Sequence, residues 1–106
     1  MKVFMIGSTA YQDKIKNYAE ELRQKGHEVL IPVFDSWGEK ATVLDVLTEN
    51  RRLMRLADEV HMIYDGRSDG TKFDFGMCFA MEKPLKIIYM NNKHLVDGMY
   101  QYEAIK

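Results

Sequence analysis

Two short stretches of this chain join turn-forming glycine to hydroxyl and carboxylate side chains, which are the groups that hold anions and sugars. The first is Gly7-Ser8-Thr9, closing an apolar run. Its glycine permits close backbone approach, and its hydroxyls can bond an anion or a sugar. The second is Asp65-Gly66-Arg67-Ser68-Asp69-Gly70-Thr71, which runs into Lys72, Phe73 and Asp74 at a helix start. Such a loop can cradle a phosphate. It lacks the Gly-x-x-x-x-Gly-Lys-Ser/Thr spacing of a P-loop and the Gly-x-Gly-x-x-Gly of a dinucleotide fingerprint. Each stretch also has a plainer reading. Gly7 with Ser8 or Thr9 can be a turn and a helix cap, and Asp74 can be an acid favoured by the positive end of a helix dipole. On the residues alone both readings stay open.

Other side chains have narrower prospects. Asn50 is a lone amide in an apolar seam of Val43, Val46, Leu53 and Ala57. Trp37, beside Gly38, could stack on a base through its aromatic face or could cover the edge of the core. Cys78 reads as a small buried thiol, with no basic group close in sequence to activate it. His61 alternates within a strand and His94 lies in a polar tail, and neither has a partner evident in the sequence. Arg51, Arg52 and Arg55 lie near Glu49 and Asp58 and read as a solvated helix face. No Cys/His spacing of the metal-binding kind occurs, so no metal is expected.

These groups must be positioned by the elements around them. Val3 to Ile6 is a short apolar run suited to a strand buried on both faces. Ile15, Tyr18, Ala19 and Leu22 recur at helical spacing, with Ser8 or Thr9 as cap region and Gly26 beyond the end. Glu28 to Ile31 reads as a second strand, stopped by Pro32, and Phe34 to Lys40 as loop. Thr42 with Asp45 forms a capping-box pattern opening a second helix. Val60, Met62 and Tyr64 mark a third strand. Helical periodicity resumes from about Thr71, with Phe73, Met77, Ala80 and Met81 on one side, and ends before Pro84. Leu85 to Met90 is a fourth strand, and 91–106 is ambiguous. Strands separated by helices imply βαβ units, a parallel sheet and an α/β fold. In such sheets ligands bind beyond the carboxyl ends of the strands, where both glycine-containing stretches fall.

Composition narrows the function classes. The chain has 106 residues, of which 46 % are hydrophobic and 29 % charged, which suits one globular domain spanning 1–106. Fifteen basic and sixteen acidic residues give a net charge of −1, so no field steers it to nucleic acid or to an anionic membrane. One cysteine allows no internal disulfide, and a reducing compartment fits. The apolar run in MKVFMIGS is too short for a signal peptide or a membrane span, and a cytoplasmic location is expected.

The string ADEVHMIYDGRSDGTKFDFGMCFAMEKP, with the opening VFMIGS, resembles the nucleoside 2-deoxyribosyltransferase superfamily, which includes 2′-deoxynucleoside 5′-monophosphate N-glycosidases. The sharpest part is a Ser/Asp-x-Gly-x-x-x-acid-x-Gly pattern, met by Ser68, Gly70, Asp74 and Gly76. The resemblance implies a three-layer αβα sandwich of four to five parallel strands, without a cofactor. It implies that Asp74 attacks C1′ of a deoxyribose and displaces the base, by the logic of a retaining glycosidase. Gly7 and Ser8 would line the sugar pocket, and Ser68, Gly70 and Thr71 would hold the 5′ side of a nucleoside or nucleotide. A homodimer or larger homo-oligomer is also implied. The chain departs from the pattern at three positions. Asp74 stands where most members have Glu, which withdraws the carboxylate by roughly 1.5 Å, and a misplacement of about 1 Å can cost on the order of a hundredfold in rate. Asn50 stands where a family Asp assists catalysis. Phe4 replaces an aromatic hydroxyl, for which Tyr11 is the nearby substitute. Three functions therefore remain: an N-glycosidase or deoxyribosyltransferase, a nucleotide-binding module with the same pocket, and an interaction domain without a small ligand.

Overall fold

The computed structural model describes residues 1–32, 42–64, 69–90 and 96–105. The apolar run near the start forms β1 (Lys2–Gly7), and its four central side chains, Val3 to Ile6, are wholly buried. A 3₁₀ turn over Thr9–Tyr11 leads into α1 (Gln12–Gln24). The residue at the N-cap of α1 is Tyr11, and it makes no side-chain capping bond. The cap expected at Ser8 or Thr9 is thus displaced, because the intervening 3₁₀ turn uses their backbone, with the Tyr11 amide bonding the Ser8 carbonyl at 3.0 Å. Gly26 follows α1 at φ +92°, a conformation that side-chain-bearing residues rarely adopt.

After β2 (Glu28–Leu30), α2 (Val43–Leu56) opens with the expected capping box. The Asp45 amide donates to Thr42 Oγ1 at 3.1 Å, and the Thr42 amide donates to the Asp45 carboxylate at 2.9 Å. These bonds hold the Asp45 carboxyl below the usual carboxylate range. The inward seam of α2 differs from the expected one at its start. Val43 is 76 % exposed, whereas Asn50, Met54 and Ala57 are buried. The first turn of α2 therefore stands off the sheet, and burial begins only where the helix closes on its neighbours. At the other end, the Lys83 ammonium donates to the Ala57 carbonyl at 2.7 Å and the Arg55 carbonyl at 3.1 Å, satisfying the last carbonyls of α2. Arg51, Arg52 and Arg55 are exposed, and Arg52 pairs with Glu49.

Then follow β3 (Glu59–Tyr64), α3 (Asp69–Ala80), β4 (Leu85–Met90) and α4 (Val96–Ile105). The ambiguous tail is thus helical over 96–105. The four strands form one parallel sheet in the order β2-β1-β3-β4, an α/β sandwich.

Strand alternation sorts the core into two layers. Phe4, Ile6, Val60, Met62 and Tyr64 pack with Met54 of α2 and Ala57 just beyond it, Cys78 of α3, and Met99 and Tyr102 of α4. On the opposite face Val3, Met5, Val29 and Ile63 pack with Ile15, Ala19 and Leu22 of α1. Cys78 is fully buried, and burial pushes its thiol up to about 12, which makes it core filler. The outer edge of β4 is closed by Glu103 of α4, whose carboxylate accepts the Ile87 amide. A charged cover of this kind protects an edge from adding a further strand.

Candidate active site

Chain order reverses between β1 and β3, since β2 lies on one side of β1 and β3 on the other. In open parallel sheets such a reversal marks where ligands bind, beyond the carboxyl ends of the two strands. Gly7 and Ser8 lie at the end of β1, and the connection out of β3 leads through 65–68 into α3. The end of β1 and the start of α3, which carries Gly70 and Thr71, therefore reach the same edge of the sheet. Ser68 and Trp37 lie outside the described residues, as do His94 and the loop expected over 34–40.

The third helix starts earlier than its apolar spacing predicts. It begins at Asp69, so its first turn runs from Asp69 to Lys72 and Asp74 stands in the second turn. The inward stripe is Thr71, Asp74 and Cys78, at 1 %, 6 % and 0 % exposure. The expected stripe is corrected accordingly: Phe73 is half exposed, Ala80 is exposed, and Met77 and Met81 are only half-buried. Phe73, Phe75, Met77 and Phe79 spread apolar surface around α3, so apolar spacing points in no single direction. A hydroxyl and a carboxyl occupy the buried line instead.

Burial sets the chemistry of Asp74. It pushes the carboxyl up to about 7, because the charged form loses its hydration. Dipole stabilisation acts mainly within a helix's first turn and lowers a carboxyl's pKa. The buried, second-turn position of Asp74 accounts for the opposite shift. Near neutral pH this group is divided between a carboxylate, which can attack an electrophile, and an acid, which can donate a proton.

The neighbouring candidates are placed by two helices. α3 packs on β1 and on α2, and α2 also packs on β1. Asn50, 5 % exposed, lies on the inward side of α2. Ser8 is 8 % exposed, and its Oγ has no hydrogen-bond partner among the described residues. Leaving a buried hydroxyl unsatisfied costs about 1–3 kcal/mol, so this atom is suited to a bond from a ligand or water. Gly70 is exposed in the first turn of α3.

Two candidates have structural surroundings that the sequence did not reveal. A Cβ on Gly7 would lie 2.6 Å from the Ile63 carbonyl oxygen and 2.7 Å from Ile15 Cδ1, so strand and helix packing alone require glycine there. Tyr11 packs on the α1 side of the sheet, its ring edge-on to Tyr89 at 5.6 Å, whereas Thr71, Asp74 and Asn50 belong to the helices of the other face.

The structure also joins three polar residues that the sequence left separate. Tyr18 Oη lies 2.7 Å from His61 Nδ1, and His61 Nε2 lies 3.1 Å from Glu59 Oε1. A carboxylate only accepts, so Nε2 carries the proton and Nδ1 receives the Tyr18 hydroxyl. Burial holds the imidazole below its ordinary pKa, against an opposing pull from Glu59. The Glu59-x-His61 spacing, which puts both side chains on one face of a strand, was the available signal. Tyr18 was obscured by its place in an apolar helical stripe. Among the described residues no group of His, Cys, Asp and Glu could hold a metal ion, and no helix is long and apolar enough to cross a membrane.

No family model matches the chain, and no curated protein matches it. Among solved structures it is similar to the 2-deoxyribosyltransferase of the psychrotolerant bacterium Bacillus psychrosaccharolyticus, described as a biocatalyst for the synthesis of antiviral and antitumoral nucleosides. The two share 16 % identity at a TM-score of 0.76, over 96 % of this chain and 82 % of that one. The chain thus has the nucleoside 2-deoxyribosyltransferase fold.

Proposed function

We propose that this protein cleaves or transfers the N-glycosidic bond of a 2′-deoxyribonucleoside or its 5′-monophosphate, with Asp74 as the nucleophile. The observation that carries the reading is a buried carboxyl on the inward stripe of α3, in the fold of a 2-deoxyribosyltransferase. Residues 1–106 act as one such domain in the cytoplasm. Its partners are a nucleoside or nucleotide and further copies of the chain.

In this reading the ionised Asp74 forms a bond to C1′ while the C1′–N bond breaks. The electron pair leaves with the base, which takes a proton from solvent. Water then opens the ester at C1′ and releases the sugar, or a nitrogen of a second base does so and gives a new nucleoside. Splitting one displacement into two lowers each barrier. Asn50 hydrogen-bonds the sugar. Ser8 supplies its unpartnered hydroxyl to the same end of the pocket as Gly7, while Ser68, Gly70 and Thr71 hold the 5′ substituent.

A second reading, a nucleotide-binding module that does not cleave, is favoured by the buried amide at Asn50, which cannot deliver a proton as an acid would. Liberated base, measured by chromatography over a panel of deoxynucleosides and their monophosphates, separates the two. Base release by the wild type and none by Asp74→Asn supports the enzyme. Calorimetric binding without any release supports the module.

A further inference from the structure

The polar line of Glu59, His61 and Tyr18 lies on the α1 face of the sheet and has no part in the proposed chemistry. His61 is 3 % exposed, and its ring centre stands 5.7 Å from that of Tyr18. Both ring nitrogens are engaged, Nε2 with Glu59 and Nδ1 with the Tyr18 hydroxyl. Beside His61 in the sheet are Met5 of β1 and Lys86 of β4. His27, just before β2, also acts on the imidazole. From α1, Glu21 acts with Glu59 on the Tyr18 hydroxyl, while Lys14, one turn before Tyr18, sits 4.2 Å over the Tyr89 ring. α1 supplies the helical side of this core through Ile15, Ala19 and Leu22, and Tyr18 is its contact with the buried imidazole.

The line is satisfied end to end only while His61 is neutral, with Nδ1 accepting the Tyr18 proton and Nε2 donating to Glu59. A protonated His61 donates from both nitrogens, so the Tyr18 hydroxyl must turn its own proton away from the ring and serve as acceptor. Burial opposes the imidazolium most strongly. Glu59 favours it, and Lys86 and His27 repel it. A buried charge is relieved when water reaches it, and here that requires the Tyr18 side of α1 to lift. The motion extends to the end of β1, because Ile15 of α1 lies against Gly7.

We propose that the Tyr18–His61–Glu59 line is a pH-sensitive latch, closed while His61 is neutral and opened by its protonation, which frees α1 from the sheet. Glu59 and Lys86 set where the latch trips, in opposite directions. None of the latch residues has a role in glycosyl transfer, and the test reads α1 itself without any base release. Failure of the latch and failure of the glycosyl-transfer reading are therefore distinguishable.

Native-state hydrogen exchange between about pH 7.5 and 5.5 tests it, expressed as protection factors so that the intrinsic pH dependence of exchange cancels. Amides of α1 should lose protection as pH falls below the ordinary imidazole value of 6.5. The loss should reach up to about tenfold per pH unit, since the open form binds one more proton, and should level off once the closed form is protonated too. Amides of α3 should lose none, because protonation of buried Asp74 stabilises the fold over the same range. His61→Gln keeps a donor and an acceptor but takes up no proton, so its α1 protection should be level. Glu59→Gln removes a charge that favours the imidazolium and should deepen the loss. Lys86→Gln removes one that opposes it and should make the loss shallower. These opposite displacements decide the matter even where His61→Gln fails to fold. Wild-type α1 protection that stays level, a His61→Gln curve matching the wild type, or equal losses in the Glu59 and Lys86 variants overturns the proposal.

Discussion

Thr71 and Asp74 stand one turn apart on the buried line of α3, at 1 % and 6 % exposure. A hydroxyl and a carboxyl thereby enter the interior on the helix that follows β3. Burying an ionisable side chain is unfavourable. Here the cost appears as the raised pKa of Asp74, and that raised value leads directly to two measurable consequences.

The first concerns rate. A nucleophilic carboxylate must be ionised, and Asp74 ionises at about 7. Base release, as kcat/KM, should therefore rise with pH through this value and level off above it. A profile already flat from about pH 5, where an ordinary carboxyl is fully ionised, would contradict the assignment.

The second concerns stability. The Asp74 carboxyl titrates at about 7 in the fold, against 3.8 for an ordinary aspartate. Between these values the folded state holds more protons than the unfolded one, so stability falls as pH rises across the interval and is level above it. The expected loss is up to about 4 kcal/mol, at roughly 1.4 kcal/mol per pH unit. Asp74→Asn removes this titration. Denaturant midpoints of the variant should therefore fall less between about pH 4 and 8 than those of the wild type, and should be higher at the upper end. Parallel curves for the two proteins would show that burial does not perturb this group.

Gly7 and Gly76 should respond oppositely to alanine. At Gly7 the new Cβ meets the Ile63 carbonyl at 2.6 Å, and backbone in a sheet cannot yield cheaply, so a loss of about 1–3 kcal/mol is expected. At Gly76, within α3, a Cβ meets nothing within 4 Å. Alanine there should stabilise by about 0.5–1 kcal/mol through helix propensity. Thermal unfolding of both variants checks the pair, and equal shifts would refute the packing argument for Gly7.

The sequence showed the strands more readily than the faces of the helices. β1 and β4 were legible as short apolar runs, and the Thr42–Asp45 box marked the start of α2 because capping is a local interaction. The inward line of α3 was not legible. Its apolar residues surround the helix, and a buried Asp74 is paired with no apolar signal. The Tyr18–His61 bond, between residues 43 positions apart, depends on how α1 settles on β3, and no local pattern encodes that. The glycine–hydroxyl stretches were visible as residue types, but only the strand order sets the end of β1 and the start of α3 at one edge of the sheet.

Tyr18→Phe tests the polar cluster on the α1 face. It removes the donor to His61 Nδ1, 3 % exposed and thus out of reach of bulk water. The expected loss is about 1–3 kcal/mol in denaturant unfolding at neutral pH. An unchanged midpoint would mean that the 2.7 Å contact contributes nothing to the fold.

The most direct measurement is to trap the reaction with a slowly turned-over 2′-deoxynucleoside analogue and map the modified peptide by mass spectrometry. A deoxyribosyl ester on Asp74, absent from the Asp74→Asn variant, is the predicted result. An analogue that binds the protein while Asp74 stays unmodified, or an adduct on a different side chain, would contradict its role as the nucleophile.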